Sequence, residues 1–238
     1  MFRRGKSIVG LDLGSQAVKA VELTLEGPEP VITGFARVEV PPGSDKAEAL
    51  AEVFQRGRFS TRNVVTSVAG QSVVVRYVGM PRMSDGELKQ AVRIEADRYV
   101  PFELDEVMLD CQPLRRRPHR LEEIGGDEQM NVLLVACRTQ LLEEQVHLVQ
   151  GFGLSPQAID VDAFALANAW ELCGLPDEDL DAALDEEGGK RTEERGLALV
   201  DVGASRTSIN VLSGGETCFS REIGIGGHDM TQAVARRM

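Results

Sequence analysis

Alternation of apolar and polar positions predicts that the chain opens with three β-strands. Residues 8–13 are mostly apolar, residues 17–25 alternate in character, and residues 31–40 form a third run. The segments between these runs, Gly14-Ser15-Gln16 and Gly27-Pro28-Glu29-Pro30, consist of residues that favour turns. The pattern therefore predicts a β-meander.

The clearest helical pattern lies in the middle of the chain, over residues 84–99. Ser84 and Glu87 have the spacing of a capping box, in which each side chain accepts a hydrogen bond from the backbone near the other. We expect the apolar stripe of this helix to pack in a core, and a groove for a partner peptide beside the stripe is the alternative. The stripe comprises Leu88, Ala91, Val92, Ala96 and Tyr99.

The other predicted elements are shorter. Asp162 is predicted to cap a helix that runs through Trp170. Arginines at 115–117 and 120 form a basic cluster, which we interpret as a solvated loop, with contact to anionic lipid as the alternative. The remaining predictions are helices over 45–55 and 140–150, a hairpin of strands 107–114 and 130–137, and strands over 64–69, 72–78 and 159–161.

A second set of three strand-like runs, 197–202, 207–212 and 217–223, follows an acidic segment. Its first turn repeats that of the opening meander, since Val200-Asp201-Val202-Gly203-Ala204 has the same pattern as Leu11-Asp12-Leu13-Gly14-Ser15. The two turns lie 189 residues apart, which is too long a period for a solenoid repeat. It predicts two similar domains, each presenting one Asp-x-Gly hairpin to a shared cleft.

The first hairpin has residues that suit phosphate binding. Gly14 permits a positive φ, with which successive backbone N–H groups can converge on one anion. The Ser15 hydroxyl adds a donor, and Lys19 adds a positive charge near the cleft.

The second hairpin offers Gly203, Ser205 and Thr207 as donors. Asp12 and Asp201 repel phosphate and are better suited to hold a hydrated Mg²⁺, which takes few carboxylates together with water. A single Asp-x-Gly turn is weak evidence, because both residues are common in turns. Two such turns at the same place in a repeat favour a clamp for a polyphosphate.

Composition narrows the classes of function. The net charge of −12 argues against nucleic-acid binding. The four cysteines are far apart and predict neither a zinc site nor a disulfide framework. The chain has no P-loop motif and no Rossmann Gly-x-Gly-x-x-Gly. The first apolar run ends at Asp12, too soon for a secretory signal, and no stretch approaches the ~18 apolar residues of a membrane span.

The two hairpins resemble the phosphate motifs of the actin, sugar-kinase and chaperone superfamily. Gly10-Leu11-Asp12-Leu13-Gly14-Ser15 with Val18-Lys19 is similar to the first motif, and Asp201-Val202-Gly203-Ala204-Ser205 is similar to the second. Within the superfamily the chain most resembles the PilM family of type IV pilus assembly proteins. That likeness lies in Met80-Pro81-Arg82-Met83, Glu87-Leu88, Glu95-Ala96, Tyr99-Val100-Pro101-Phe102, Glu106-Val107 and Ala163-Phe164-Ala165-Leu166-Ala167-Asn168-Ala169.

The resemblance implies an α/β fold of duplicated actin-like (ribonuclease H-like) domains with a small α+β inserted subdomain. The second domain is expected to be truncated, because the chain stops inside a predicted helix after Gly227. The expected divisions are a first domain over 1–78, an inserted subdomain over 79–153, a return helix over 154–176, an acidic linker over 177–195, and the start of the second domain over 196–238.

The resemblance also implies ATP and Mg²⁺ as cofactors, with the nucleotide acting as a conformational ligand and at most weak ATPase activity. The implied partner is the cytoplasmic tail of a PilN-like membrane protein, so the chain is expected in the cytoplasm, peripheral to the inner membrane through its partners. The implied site residues are Asp12, Gly14, Ser15 and Lys19 in the first phosphate site, Asp201, Gly203, Ser205 and Thr207 in the second, and Asp12 and Asp201 as water-mediated ligands of Mg²⁺.

Two other functions of the same fold remain open. The phosphate motifs do not separate the PilM family from the division protein FtsA. A sugar-kinase or acetate-kinase activity would need a general base near the acceptor hydroxyl. Asp160 and Asp162 are the candidates for that base.

Overall fold

The computed structural model describes residues 6–27, 29–114, 129–174, 196–213 and 216–238. The basic cluster at 115–120 and the predicted acidic linker over 177–195 lie outside these ranges. The strands are β1 (Lys6–Leu13), β2 (Ala17–Leu25), β3 (Pro30–Glu39), β4 (Asn63–Val68), β5 (Val73–Pro81), β6 (Val107–Pro113), β7 (Gln129–Arg138), β8 (Ser155–Val161), β9 (Gly196–Val202), β10 (Thr207–Ser213) and β11 (Glu216–Ile223). The helices are α1 (Lys46–Gly57), α2 (Asp85–Glu95), α3 (Thr139–Gly151), α4 (Asp162–Cys173) and α5 (Gly227–Ala235).

The first sheet has the strand order β3-β2-β1-β4-β8. The predicted meander forms its antiparallel half, and β4 and β8 add parallel strands beside β1. Alternation along β2 arises because one face packs under α1, so that Val18 is fully buried while Lys19 is exposed. Leu50 and Val53 of α1 are also fully buried in this core.

A polar network lies in the same buried region, around Glu22, which is 4% exposed. Its carboxylate accepts hydrogen bonds from the Ser60 backbone N–H at 2.8 Å, the Ser60 hydroxyl at 2.6 Å and the Thr33 hydroxyl at 3.2 Å. Burial raises the pKa of this carboxyl, but the hydrogen bonds from Ser60 and Thr33 outweigh burial and hold the pKa below its ordinary value.

The second sheet, in the order β5-β7-β6, is antiparallel and packs against α2. The predicted hairpin of β6 and β7 is confirmed by this pairing. Leu88 and Val92 of the predicted stripe are buried in its core, with Tyr99 packed against them. The predicted capping box is also confirmed, because the Ser84 backbone N–H and hydroxyl both donate to Glu87 Oε2.

Strand pairing and packing favour bounds for the inserted subdomain that differ from the predicted range of 79–153. The second sheet begins at Val73, within the range predicted for the first domain. Helix α3 was expected in the insert, but Val149 and Leu148 pack in the core of the first sheet. We propose that the insert comprises 73–138, because this range contains the strands of the second sheet and the helix that covers it.

The third sheet, in the order β11-β10-β9, is antiparallel and repeats the arrangement of β3-β2-β1. It follows α4, whose start differs from the prediction. Val161 is the N-cap residue and Asp162 is the first residue of the helix, with no side-chain capping bond. At that position the carboxylate still lies near the positive end of the helix dipole. Among the helices of the described ranges, none combines the length and apolar character needed to cross a bilayer.

Candidate functional site

The two Asp-x-Gly hairpins have the same construction. Leu13 pairs with Val18 across the first hairpin, and Val202 pairs with Thr207 across the second. Each pairing encloses a four-residue loop, 14–17 or 203–206, so that Asp12 and Asp201 take equivalent positions in their strands. This register agrees with the internal repeat seen in the sequence.

A positive φ is not the reason for glycine in these two loops. Gly14 and Gly203 are not among the described residues with positive φ. A Cβ on Gly14 would instead lie 2.7 Å from the Ala17 carbonyl oxygen, and a Cβ on Gly203 would lie 3.0 Å from that of Arg206. At Gly14 the hairpin backbone therefore passes too close for a side chain, and at Gly203 a side chain would need the Arg206 carbonyl to shift by a few tenths of an ångström.

The hairpins meet although they are far apart in sequence. Ser15 Oγ lies 3.0 Å from Ser205 Oγ, which is hydrogen-bond distance. A cleft of about 520 Å³ opens between the two halves at this point. The predicted site residues that line it are Asp12, Gly14, Ser15, Lys19, Asp201, Gly203 and Ser205.

Thr207 is the predicted site residue that does not line the cleft. Its hydroxyl donates a hydrogen bond to the carbonyl oxygen of Ile225 at 2.7 Å. Thr207 is the first residue of β10 and faces the loop of residues 224–227, which follows β11 and is rich in glycine. Its hydroxyl therefore supports this glycine-rich loop rather than the cleft.

The glycine-rich loop and the start of α5 hold the second hairpin in place. The backbone N–H of Gly227 donates to the Gly203 carbonyl, and that of His228 donates to the Ala204 carbonyl, both at 2.9 Å. A Cβ on Gly226 would lie 2.6 Å from the Ala204 carbonyl oxygen and from the Arg206 nitrogen. The structure therefore places Gly226 and Gly227 at the N-terminus of α5, behind the second hairpin.

The charge of Lys19 is paired within the first sheet. Asp12 and Lys19 lie opposite each other in the β1–β2 register, and Lys19 Nζ lies 2.8 Å from Asp12 Oδ2. Both side chains are about half exposed. An exposed ion pair of this kind stabilises the fold by only ~0–1 kcal/mol, but it places a carboxylate against the cation predicted to contact phosphate.

Lys46 is a cleft residue that the sequence did not reveal. It is the first residue of α1, and its Nζ donates to the Leu13 carbonyl oxygen at 2.9 Å. Burial lowers the pKa of Lys46, the nearby charge of Arg206 lowers it further, and Asp12 and Asp162 act in the opposite direction. One feature of the sequence could have drawn attention to Lys46: it is a cation in the first turn of a predicted helix, where the helix dipole disfavours positive charge.

Arg206, also a cleft residue, connects the second hairpin to the first sheet. Its Nη1 lies 3.5 Å from Glu222 Oε2, and the same oxygen accepts a hydrogen bond of 2.8 Å from the Gly70 backbone N–H. Gly70 follows β4 and has a φ of 103°, a conformation that favours glycine. A smaller cavity of about 280 Å³ lies beside this contact.

The two candidate bases for phosphoryl transfer lie in different surroundings. Asp162 lines the cleft, whereas Asp160 is not among its lining residues. The Asp160 carboxylate accepts hydrogen bonds from the Val161 backbone N–H and from Asn168 Nδ2. Burial raises the pKa of Asp160. The hydrogen bond from the Val161 backbone lowers this pKa, whereas the charge of Asp162 raises it further.

The carboxylates of the cleft suit magnesium bound together with phosphate. Within the described residues, no three His, Cys, Asp or Glu side chains cluster as a ready-made metal site. Asp12, Asp162 and Asp201 nevertheless line the cleft, together with the hairpin donors. Mg²⁺ usually takes one or two carboxylates, several waters and the phosphates of its nucleotide, and this set fits that requirement.

The duplicated meander, with its two hairpins facing one cleft, defines the actin-like ATPase fold. A solved structure described as a PilM-PilN type IV pilus biogenesis complex has a TM-score of 0.75 and 31% identity, and the match covers 97% of this chain and 65% of the matched chain. The cytoplasmic domain of EpsL, an inner-membrane component of the type II secretion system of Vibrio cholerae, shares the fold at a TM-score of 0.55 and 16% identity, over 92% of this chain and 71% of the other.

The family model described as type IV pilus assembly protein PilM matches residues 10–238. The chain therefore belongs to the PilM family. It spans 65% of the length of the matched chain in the solved complex.

Proposed function

We propose that the cleft binds ATP with Mg²⁺ and that the nucleotide acts as a conformational ligand of an assembly factor for the type IV pilus. The observation that carries the proposal is the contact between Ser15 and Ser205, which brings the two hairpins to one cleft. A ligand that contacts both hairpins stabilises the arrangement in which the two halves are close together.

In this proposal the phosphates contact the hydroxyls of Ser15 and Ser205 and the backbone around Gly14 and Gly203. The Ser15–Ser205 hydrogen bond then exchanges for bonds to the ligand, and each hydroxyl keeps a partner. Asp12 and Asp201 hold the hydrated magnesium ion. Thr207 is left out because its hydroxyl supports the loop at Ile225. Lys19 is the cation that the sequence predicted at the phosphates.

We further propose that the chain works in the cytoplasm at the inner-membrane platform of the pilus, where it binds the N-terminal cytoplasmic peptide of a PilN-like membrane protein. Support comes from membership of the PilM family and from the likeness to a solved PilM-PilN complex. Attachment to the membrane would then be indirect, through the partner.

Isothermal titration with Mg-ATP and with a peptide from the cytoplasmic tail of a PilN-like protein tests the two halves of this proposal separately. We expect saturable binding of both. A chain that binds the peptide and not Mg-ATP would refute the nucleotide proposal, and the opposite result would refute the partner proposal. The variant Asp201→Asn should weaken binding of Mg-ATP more than binding of ATP in EDTA, because the carboxylate acts through the metal.

Phosphoryl transfer is a second candidate, favoured by the position of Asp162 in the cleft. An Asp at that place can accept a proton from an acceptor hydroxyl. Incubation with Mg-ATP and a panel of sugars, or with acetate, tests this candidate. Robust turnover that is lost in Asp162→Asn would replace the proposed role of ATP as a conformational ligand.

A further inference from the structure

The geometry points to Lys46 and Arg206, one from each half of the molecule, as the cationic pair that receives the polyphosphate of the cleft. This assignment rests on the proposed nucleotide function and differs from the sequence expectation, which gave that role to Lys19. Both residues line the cleft together with the two hairpins.

Lys19 is poorly suited to this role because its charge is already compensated. The ion pair with Asp12, at 2.8 Å, lies on the surface of the first sheet and is fixed by the strand register. A phosphate that approaches Lys19 also approaches the Asp12 carboxylate, and the repulsion from Asp12 opposes the attraction to Lys19.

Lys46 is held in place without a close ion pair: among the described residues no carboxylate lies within 4.0 Å of its Nζ, although the charges of Asp12 and Asp162 act on it from farther away. Its Nζ donates to the neutral carbonyl oxygen of Leu13, the residue that precedes the hairpin glycine. An ammonium group has three donors, so this bond aims the group toward the first hairpin and leaves donors for a ligand. Lys46 is also the first residue of α1, where the helix dipole opposes a positive charge.

Arg206 brings a second positive charge from the other hairpin. Its Nη1 lies 3.5 Å from the Glu222 carboxylate, which is longer than a strong charge-assisted hydrogen bond. The guanidinium group has five donors and suits bidentate contact with phosphate. Arg206 is close enough to Lys46 to lower the pKa of its ammonium group.

Two like charges from opposite halves therefore face one cleft. Their mutual repulsion disfavours the arrangement in which Ser15 and Ser205 are in contact, and the charges of Asp12 and Asp162, which act on Lys46, offset part of it. A polyphosphate between them converts this repulsion into two attractions, and it compensates the unfavourable position of Lys46 at the helix N-terminus. The pair thus favours an anion with several phosphate groups, which can contact one cation from each half.

Titration of the full chain with Mg-ATP and with inorganic tripolyphosphate tests this assignment. We expect Lys46→Met and Arg206→Met each to weaken binding of both ligands by about 10-fold to 100-fold, the range for lost charge-assisted hydrogen bonds. Lys19→Met should weaken it by less than about 3-fold. Lys46→Arg should restore most of the affinity, because it keeps the charge and a donor for Leu13.

The control is Lys89→Met, which removes an exposed lysine from α2 on the second sheet. It should bind both ligands with wild-type affinity. Thermal unfolding of each variant shows whether it is folded, and rescue by Lys46→Arg separates a lost charge from a disturbed helix. Equal binding by Lys46→Met and wild type, or a larger loss in Lys19→Met, would overturn the assignment while leaving the nucleotide proposal intact. Absence of binding by the wild type would overturn both.

Discussion

Gly226 lies where the glycine-rich loop passes directly behind the second hairpin, and replacing it with alanine tests whether that contact shapes the cleft. The backbone at Gly226 is extended, with φ of −139° and ψ of −170°, so alanine can adopt the same conformation. The added methyl group is therefore the main perturbation.

The expected cost follows from the contact distances. The new Cβ would lie 2.6 Å from the Ala204 carbonyl oxygen and from the Arg206 nitrogen, about 0.8 Å closer than the 3.4 Å at which ordinary contact begins. Both atoms belong to backbone, so relief requires the hairpin itself to shift. Overpacking of this kind costs about 1–3 kcal/mol, and the lower chain entropy of unfolded alanine offsets about 0.4–1 kcal/mol. The net loss of local stability is about 1–2 kcal/mol.

Hydrogen exchange gives the most direct assay, because the hairpin is tied by the backbone bonds from Gly227 and His228. A loss of about 1–2 kcal/mol raises the exchange rate of amides in 203–208 and 227–230 by roughly 5–30-fold. The shifted hairpin should also bind Mg-ATP more weakly, since Ser205 moves with it.

Gly224→Ala is the matched control. It lies two residues earlier in the same loop, and a Cβ there would meet no atom within 4 Å. Its unfolding and exchange should match the wild type or show slight stabilisation. Wild-type exchange in Gly226→Ala, or equal effects of the two substitutions, would refute the claim that the loop supports the hairpin through this contact.

Three further predictions concern the cleft, the core and the buried carboxylate. The double variant Ser15→Cys/Ser205→Cys should form a disulfide under mild oxidation, because the two Oγ atoms lie 3.0 Å apart. Non-reducing electrophoresis, with the two single variants as controls, detects the cross-link. Failure of the double variant to cross-link would contradict the contact between the hairpins. Leu50→Ala should lower the free energy of unfolding by about 3–5 kcal/mol, since the side chain is fully buried. Ile94→Ala, at a position 79% exposed, should cost less than ~0.5 kcal/mol in the same urea titration, and similar losses would contradict the packing described. Hydrogen bonds hold the pKa of Glu22 below its ordinary value of 4.5 despite burial. The stability that the carboxylate contributes is therefore fully present above its pKa in the unfolded chain, and it is lost as the pH falls through its pKa in the folded protein. Glu22→Gln should therefore be less stable than wild type at pH 7 and should lose less stability on acidification below about pH 4.5, as measured by urea midpoints across pH; parallel profiles would refute the assigned hydrogen bonds.

Much of the fold could be predicted from local patterns. Alternation along β2 and the turn residues after Leu13 defined the first meander, and the capping box at Ser84 marked the start of α2. These features depend on residues within a few positions of one another, so their spacing is visible in the sequence. The repeat of the Asp-x-Gly turn also predicted that two similar halves share a cleft.

Predictions about which atoms a single residue contacts were less accurate. Gly14 was singled out because glycine permits a positive φ, whereas the close approach of the Ala17 carbonyl is what requires glycine there. Thr207 was expected at the phosphates, but its hydroxyl donates to Ile225. In both cases the residue belongs to a predicted hairpin, and the group that it contacts depends on how the backbone folds back on itself.

The sequence by itself determined the strands, the helices and the duplicated bends, because hydrophobic period and turn chemistry act over short distances along the chain. The tertiary structure decided which polar groups face the cleft. It paired Lys19 with Asp12, and it placed Lys46 beside Leu13 and Arg206 across from Lys46. Such placements depend on strand register and on the packing of one half against the other, and these bring together residues that no local pattern connects.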